Sequence, residues 1–223
     1  MPRKSPRRRP APRDISPDYC LVSAPTKLPD RFRQGRPVSK KIIDCRDTMF
    51  DWMEPVRTPD GQSIVEVGSQ WGWWAHRAAK QLPHATIWCV DPWREDRKSH
   101  EHWGANNFYE WQLNVGQWLG ERVFGLRGTS EEVVDYFQPG ELDMVFIDGD
   151  HTPEGIALDL KLWVPKVRQG GLILGHDWDG IWGKHVRPAV TEYFARLGEI
   201  KAELGYLSSI KASAVWRVEK TWP

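Results

Sequence analysis

The amino-acid sequence predicts an α/β fold in which helices cover both faces of a mostly parallel, doubly wound sheet. From Ser63 onward, short apolar runs alternate with longer amphipathic stretches, which is the pattern of successive βαβ units. Several of these runs are followed directly by glycine or by acidic residues, as is typical of parallel strands that end at a ligand-binding edge. The chain has 223 residues, of which 40% are hydrophobic, so it can bury one substantial core. We therefore expect a single folded domain over residues 41–223.

Residues 1–40 are basic and rich in proline, and they show no sustained apolar periodicity. Residues 1–13 alone carry six positive charges and no negative charge, although the net charge of the chain is only +1. Such a segment cannot bury enough apolar surface to offset its ordering entropy, so we expect an irregular tail. A basic arm can bind nucleic acid through phosphate contacts, but a solvated tail is the commoner outcome, and a nucleic-acid partner is not favoured.

The composition also bears on the cellular setting. No apolar stretch approaches the roughly 20 residues that span a bilayer, and no apolar run follows the first arginines, as a secretory signal would require. The cysteines Cys20, Cys45 and Cys89 have no C-x-x-C spacing and suggest neither a disulfide framework nor a zinc site. We expect a cytoplasmic protein without a membrane partner, and the sequence leaves its oligomeric state open.

The predicted elements follow one another in a regular order. A helix over Lys41–Met53 ends before Pro55 and precedes the sheet. Apolar runs predict five parallel strands, at Ser63–Val67, Thr86–Val90, Val123–Leu126, Asp143–Ile147 and Gly171–Leu174. Amphipathic spacing predicts the helices that follow these strands, at Trp73–Gln81, Phe108–Leu119, Glu131–Phe137, Glu154–Val167 and His185–Leu197. Two last stretches, Gly205–Ile210 and Ala212–Val218, predict a C-terminal antiparallel hairpin, which completes a seven-stranded sheet.

The first parallel strand is joined to the next helix by a turn with the spacing E-x-G-x-x-x-G, from Glu66 to Gly72. Gly68 permits a tight turn in dihedral space that is closed to other residues, and Gly72 lets a ligand and the helix approach the backbone closely. The spacing differs from the G-x-G-x-x-G of a dinucleotide site. An acid ahead of the turn would repel a phosphate and would attract a cationic ligand, such as an ammonium or sulfonium group.

The second parallel strand ends at Asp91, which is 25 residues after Glu66. A carboxylate at this position can accept hydrogen bonds from both hydroxyls of a ribose. Trp93, two residues further on, could stack on a purine. An Asp before Pro is also an ordinary turn former, but the glycine turn upstream favours the ribose interpretation.

Ionisable residues crowd at the ends of the fourth and fifth parallel strands. They are Asp148, Asp150 and His151 after the fourth strand, and His176, Asp177 and Asp179 after the fifth. Because the strands are parallel, both groups open onto the same crevice. A divalent cation would relieve this carboxylate density and would lower the pKa of a coordinated hydroxyl. His151 is the candidate general base or, equally, a cap of the helix that begins near Pro153.

With these motifs in this order, the chain resembles the class I S-adenosylmethionine-dependent methyltransferases, which have a Rossmann-like fold. Within that group it is similar to the small O-methyltransferases of the metal-dependent type, with a D-G-D-H motif after the fourth strand. The resemblance covers Gln62–Lys220. It rests on the segments Glu66–Gly72, Asp91, Gly128–Ser130, Phe146–His151 and Gly170–Asp177.

The resemblance implies a set of cofactor-binding residues. Glu66, Gly68 and Gly72 would contact the methionine part of S-adenosylmethionine, and Asp91 would contact its ribose. Thr129 and Ser130 would lie near the adenine. Ser69, Trp93 and Asp148 complete the cofactor-binding set.

The resemblance also implies the catalytic and metal-binding residues. Asp148 and His151 would act in catalysis, and Asp148, His176 and Asp177 would bind a divalent cation, Mg²⁺ or Mn²⁺. The relatives usually carry two oxygen donors at the fifth strand end. His176 offers a nitrogen instead, which is less typical of Mg²⁺ and allows a softer ion.

The predicted function is methyl transfer to a hydroxyl of a small molecule or a glycan, with or without a divalent cation. One alternative is a nucleic-acid methyltransferase that uses residues 1–13. Enzymes that methylate amino groups of DNA usually show Asn/Asp-Pro-Pro-aromatic after the fourth strand, whereas this chain has the D-G-D-H segment at 148–151. Another alternative is a non-catalytic binding protein on the same fold.

Overall fold

The computed structural model describes residues 20–21, 49–50, 53, 56, 60–93, 105–197 and 215–223. Strands and helices alternate between residues 63 and 196, as the sequence predicts. The strands are β1 (Cys20–Leu21), β2 (Ser63–Val67), β3 (Thr86–Asp91), β4 (Val123–Arg127), β5 (Leu142–Ile147), β6 (Val167–Gly175) and β7 (Trp216–Glu219). The helices are α1 (Trp73–Gln81), α2 (Ala105–Val115), α3 (Ser130–Val133), α4 (Pro153–Trp163) and α5 (Gly183–Arg196). Short 3₁₀ turns, Val134–Tyr136 and Val164–Lys166, extend α3 and α4.

The strands form one sheet in the order β1-β4-β3-β2-β5-β6-β7. The five strands from β2 to β6 are parallel to their neighbours, and β7 pairs antiparallel with β6. From β2 the chain adds β3 and β4 on one side, and then returns to add β5 and β6 on the other side. The order of the strands therefore reverses between β2 and β5. Ligands of doubly wound sheets bind beyond the carboxyl ends of the strands at this point.

The prediction of five parallel strands and a two-stranded hairpin is wrong as a description of the sheet. The main sheet has six strands, the five parallel ones and β7. The other expected hairpin strand, Gly205–Ile210, lies outside the described residues. The additional edge strand β1 has two residues and pairs antiparallel with β4. Two residues cannot show the alternation by which strands are recognised in a sequence, so β1 could not be predicted.

The predicted helices agree with the structure in place and differ at their ends. The helix predicted over Lys41–Met53 lies mostly outside the described residues, in which Met49 and Phe50 are helical and buried. α2 begins three residues earlier than predicted and ends four residues earlier. Helix ends are determined by capping and by neighbouring elements, which apolar periodicity does not record.

The sheet is covered on both faces by apolar cores. Along β2, Val65 and Val67 belong to one core and Ile64 to the other, because side chains alternate across a strand. Trp74 of α1 stacks on Phe146 of β5, with ring centroids 4.8 Å apart. Both cores hold the parallel strands in place and leave their carboxyl ends open. Among the described helices, none combines the length and the apolar character needed to cross a membrane.

Candidate functional site

A cavity of about 430 Å³ lies beyond the carboxyl ends of β2 to β6. Its wall includes nine of the twelve residues that the sequence predicts as site residues, namely Gly68, Asp91, Trp93, Thr129, Ser130, Asp148, His151, His176 and Asp177. The other three, Glu66, Ser69 and Gly72, are not part of the wall. The cavity therefore lies at the predicted edge of the sheet, beyond the ends of the neighbouring strands β2 and β5.

Gly68 brings the turn after β2 into backbone contact with the end of β5. Its φ is +84°, and a Cβ at this position would lie 2.2 Å from the carbonyl oxygen of Asp148. The Gly68 N–H donates to the carbonyl oxygen of Val90, at 2.8 Å. A positive φ and a contact this close both require glycine, so the residue joins the ends of three neighbouring strands.

The carboxylate of Asp91 is fixed by two backbone amides. Oδ1 accepts from the N–H of Trp93 at 2.7 Å, and Oδ2 accepts from the N–H of Gln70 at 2.9 Å. Gln70 and Trp93 both have positive φ, 47° and 39°. The two loops are thus bent around this carboxylate, which faces the cavity in a defined orientation.

Trp93 packs largely inside the protein at the edge of the cavity, and its stacking on a purine stays a prediction. Its side chain is only 2% exposed. The ring lies 5.3 Å from that of Phe108 and 4.9 Å from that of Trp111, and Nε1–H donates to the Gln70 carbonyl at 2.7 Å. These contacts fix the ring, so Trp93 stabilises the loop that carries Asp91.

Glu66, Ser69 and Gly72 lie outside the cavity wall and support the turn, and their contact with a ligand stays a prediction. Glu66 is 2% exposed, and its Oε2 accepts from the Ser69 hydroxyl at 2.5 Å. Glu66 points to the opposite side of the sheet from Val67, which lines the cavity. Gly72 has a φ of +77°, and a Cβ there would lie 2.7 Å from the ring of Trp111. Because Gly72 has no side chain, helix α2 can pack closely against the turn.

Thr129 and Ser130 reach the cavity at the start of α3, but their hydroxyls are engaged within the protein. Thr129 Oγ1 accepts from the Glu132 N–H at 3.4 Å, and Glu132 Oε2 accepts from the Thr129 N–H at 2.7 Å, which forms a capping box. Ser130 Oγ accepts from Trp163 Nε1–H at 2.9 Å and donates to Asp159 Oδ1 at 2.5 Å.

Asp159 is a cavity residue that the sequence analysis missed. It lies on α4, is buried, and forms part of the cavity wall. Burial raises the pKa of its carboxyl to about 6, although the hydrogen bond from Ser130 acts in the opposite direction. Asp159 follows Ile156 by three residues and precedes Trp163 by four, so it occupies a core-facing position of the helix. The sequence did contain one signal for Asp159, because a single acidic residue on the apolar face of a predicted helix indicates a buried carboxylate.

The raised pKa of Asp159 predicts a gain in stability from Asp159→Asn at high pH. A carboxyl whose pKa is higher in the folded state favours folding while it is protonated, below about pH 4, and that contribution is lost as the pH rises through about 6. We expect Asp159→Asn to raise the free energy of unfolding by about 2 to 3 kcal/mol at pH 8, since one pKa unit corresponds to about 1.4 kcal/mol. Urea unfolding at pH 8 and at pH 4.5 measures this difference, which should shrink at the lower pH.

The matched control for this stability measurement is Asp135→Asn, which removes an exposed carboxylate. We expect it to change the free energy of unfolding by less than about 0.5 kcal/mol at either pH. If Asp159→Asn is less stable than the parent protein at pH 8, the ionised carboxylate is a stabilising group and the argument from burial is wrong.

Two histidines and two aspartates form an acid–histidine cluster at the other side of the cavity, comprising Asp148, His151, His176 and Asp177. His151 Nε2 lies 2.8 Å from Asp177 Oδ2 and 3.4 Å from Asp148 Oδ1. His176 Nδ1 lies 3.3 Å from Asp148 Oδ1 and 3.4 Å from Asp177 Oδ2. Donor atoms of Asp148, His151 and Asp177 all lie within 4.8 Å of one another. The structure thus brings the three predicted metal ligands together and adds His151 to them.

The ionisation of this cluster is coupled. Burial opposes a charge on His151, but the hydrogen-bonding contacts and the charges of Asp148 and Asp177 outweigh it and raise the pKa of His151 to about 9. For Asp177, burial is likewise outweighed by His151 and His176, so its pKa is lowered. The Nε2 atom of His151 is nevertheless buried without a well-aligned hydrogen bond. We therefore regard the 2.8 Å approach to Asp177 as an ionic contact.

His151 does not cap α4, so that interpretation from the sequence is wrong. The N-cap is Thr152, whose Oγ1 accepts from the Gly155 N–H at 3.1 Å. The His151 ring instead lies parallel to Trp182, with centroids 5.4 Å apart and an interplanar angle of 22°. Its imidazole is thereby held in the cavity wall, facing the carboxylates.

Known proteins match this chain in part. The model of a family described as a methyltransferase domain matches residues 65–178, just over half of the chain. An uncharacterised protein of Sinorhizobium fredii, y4gI, is 24% identical over 153 residues, which are 64% of this chain. An uncharacterised protein of Acanthamoeba polyphaga mimivirus is 38% identical over 58 residues, which are 26% of this chain. The matched segments span only 16% and 26% of these two relatives.

Solved structures share the fold at low sequence identity. An rRNA methylase from Streptococcus thermophilus has a TM-score of 0.56 at 12% identity, over 78% of this chain and 95% of that one. Cofactor-bound Rv0187 from MTB has a TM-score of 0.60 at 13% identity, over 91% and 85%. A protein of Staphylococcus aureus described as a caffeoyl-CoA O-methyltransferase has a TM-score of 0.54 at 13% identity, over 78% and 82%. The chain belongs to the methyltransferase domain family, and its fold is that of the class I S-adenosylmethionine-dependent methyltransferases.

Proposed function

We propose that this protein transfers the methyl group of S-adenosylmethionine to a hydroxyl group of a small molecule or a glycan. The observation that carries the proposal is the position of the acid–histidine cluster, which shares one cavity with Gly68 and Asp91. A cofactor seated over the Gly68 turn would present its sulfonium towards the carboxylates, to which a positive charge is attracted. A hydroxyl placed at the cluster would then have both a methyl donor and a base beside it.

The strand order supports a linear arrangement of the cofactor along the cavity. The strands β4, β3, β2, β5 and β6 are neighbours in this order. Their ends contribute, in the same order, Ser130, Asp91, Gly68, Asp148 and His176 to the cavity wall. Adenine would lie near Ser130, the ribose hydroxyls at Asp91 and the methionine part at Gly68, with the acceptor beyond Asp148. The volume of about 430 Å³ lies within the range of small-molecule sites, about 300 to 1,000 Å³.

The acid–histidine cluster also fits a divalent cation. Two carboxylates converge on His151, whose buried Nε2 lacks a well-aligned hydrogen bond and so has an unused lone pair or proton. Asp148 and Asp177 would hold the ion together with His151 or His176. A donor set of two oxygens with imidazole nitrogen suits Mn²⁺ or a similar transition ion better than Mg²⁺. When bound, such an ion lowers the pKa of a coordinated hydroxyl.

In the proposed reaction, the neutral form of His151 receives the proton of the acceptor hydroxyl on Nε2. Because the pKa of His151 is raised to about 9, the fraction of neutral His151 grows as the pH rises towards that value. Asp148 and Asp177 stabilise the imidazolium that forms, and Trp182 holds the ring in orientation. S-adenosylmethionine supplies a methyl group on a positively charged sulfur, which the acceptor oxygen displaces in line. The protein's contribution is to align the two reactants and to hold the released proton.

Calorimetric titration with S-adenosylmethionine tests the cofactor site. We expect the wild-type protein to bind at one site and Asp91→Asn to bind about 10 to 100 times more weakly, because a hydrogen bond to a charged group contributes about 1.5 to 3 kcal/mol. Asp135→Asn is again the control and should bind like the wild type. If the wild-type protein does not bind S-adenosylmethionine, the proposed reaction is excluded and the alternative of a non-catalytic binding protein remains.

The other alternative, a nucleic-acid acceptor, depends on residues 1–13, which lie outside the described residues. Deletion of these residues separates it from the proposal. Turnover of a small-molecule acceptor should survive the deletion, because every residue placed in the reaction lies in the cavity. A joint loss of nucleic-acid affinity and of activity would favour the alternative.

A further inference from the structure

One carboxylate at the adenine end of the cavity has no role in the reaction described above. Asp159 lies on α4 and forms part of the wall next to Ser130 and Gly149. Among the described residues, only its Oδ1 takes part in a hydrogen bond, which comes from the Ser130 hydroxyl. The other oxygen, Oδ2, lies against the backbone of Gly149, where a Cβ would be only 3.0 Å away from it. The carboxylate is thus oriented by Oδ1, and Oδ2 has no hydrogen bond among the described residues.

The surroundings of Asp159 fix this orientation. The Ser130 hydroxyl that holds Oδ1 itself accepts from Trp163 Nε1–H at 2.9 Å, so its single donor is committed to Asp159 while Trp163 fixes its position. Trp163 is fully buried and cannot reorient without a change in the core. The chain Trp163, Ser130 and Asp159 therefore forms a rigid support, as is required of a group that selects a ligand by geometry.

We infer that Asp159 selects the base of the cofactor, by accepting a hydrogen bond on Oδ2 from the exocyclic amino group of adenine. An ionised carboxylate only accepts hydrogen bonds, and the adenine amine offers two donors. Hypoxanthine carries a carbonyl oxygen at the same position, which would face the carboxylate without a proton between them. The inference rests on the proposed function, because it places adenine near Ser130.

The turn after β4 does not offer an equivalent buried acid. Its residues are Gly128, Thr129 and Ser130, followed by Glu131, which reaches the cavity wall but is exposed. An exposed side chain pays the entropy of ordering and remains hydrated, so it discriminates weakly between bases. Asp159 is buried and already ordered, and a site that hydrogen-bonds a ligand group rejects the analogue that lacks it.

The test compares two nucleosides that differ in this one group, S-adenosylhomocysteine and its deaminated analogue S-inosylhomocysteine, at pH 8. We expect the wild-type protein to prefer the adenosyl compound by on the order of 100-fold. Asp159→Asn should reduce this preference to less than tenfold, because the asparagine amide can donate to the carbonyl of hypoxanthine. Glu131→Gln, which changes the other acid at this end of the cavity, should keep the wild-type preference.

Each outcome has one meaning. If Asp159→Asn keeps the wild-type preference, or if Glu131→Gln loses it, the inference is wrong while the proposed function stands. If neither compound binds to the wild-type protein, the proposed function fails instead. Misfolding does not confuse the result, because Asp159→Asn is expected to be more stable than the parent at pH 8, and urea unfolding of the same sample verifies it.

Discussion

Replacement of Gly68 by alanine is expected to abolish measurable binding of S-adenosylmethionine and to lower the free energy of unfolding by about 3 kcal/mol or more. The added Cβ would lie 2.2 Å from the Asp148 carbonyl oxygen and 2.6 Å from the Gly149 Cα. Neither atom can withdraw easily, because the Asp148 N–H donates to the Val67 carbonyl at 2.9 Å and ties the two strand ends together. Strain at a positive φ and overpacking each cost about 1 to 3 kcal/mol.

Gly140→Ala is the matched control for this experiment. Gly140 has a φ of +68°, close to that of Gly68, but the nearest atom to its added Cβ would be 3.9 Å away. We expect a loss of about 1 to 2 kcal/mol in stability from the backbone conformation alone, with cofactor affinity unchanged. Urea unfolding and calorimetric titration of both variants distinguish the effect of the close contact with Asp148 from the effect of the positive φ angle. Gly68→Ala with wild-type affinity would show that the two strand ends can separate without damage to the site.

The sequence was sufficient for the five parallel strands and for the edge of the sheet at which the cavity lies. Apolar runs gave the five parallel strands, because a strand buried on both faces has few polar positions. Gly68 and Asp91 were identified because each occupies a position where the backbone or the ligand restricts the residue type. The carboxyl ends of parallel strands converge in space, so the residues that follow them could be grouped before any distance was known.

The roles of individual residues in the glycine turn could not be predicted in the same way. Glu66 and Gly72 stand in the expected motif, but one points across the sheet and the other faces Trp111. The alternation along β2 contained part of this information, since Glu66 and Val67 must lie on opposite faces. The contact between Gly72 and α2 depends on the packing of two helices, which no local spacing records.

Asp159 was missed, and His151 was predicted as a catalytic residue but not as a metal ligand, for a different reason. Asp159 meets Ser130 across 29 positions of the chain, and the helical spacing of its apolar neighbours suggested only core packing. His151 and His176 both approach the same two carboxylates, and their positions in the sequence do not show which of them would bind a metal ion. Such choices depend on side-chain directions within a cavity, at a precision of about 1 Å.

Asp148→Asn is expected to weaken binding of Mn²⁺ by at least about 100-fold. Asp148, like Asp177, is approached by both histidines of the acid–histidine cluster, at 3.4 Å from His151 and 3.3 Å from His176. Loss of a group that only supports a metal ligand costs about 10- to 100-fold in affinity, so loss of a charged ligand should cost at least as much. Titration of free Mn²⁺, followed by its electron paramagnetic resonance signal, measures the change directly and needs no methyl acceptor.

Asp150→Asn is the matched control, because it removes the same charge two residues away. Asp150 is exposed, and its Oδ1 accepts only from the nearby Thr152 N–H, at 3.0 Å, among the described residues. A general effect of negative charge near the cavity would weaken Mn²⁺ binding in both variants, whereas a coordinating role predicts a large loss in Asp148→Asn alone. If the wild-type protein binds no Mn²⁺ and methyl transfer withstands chelation, the metal-assisted part of the proposal is wrong. The two carboxylates would then act only on the charge of His151. Asp148→Asn should in that case lower the pKa of His151 and move the pH dependence of methyl transfer to lower pH.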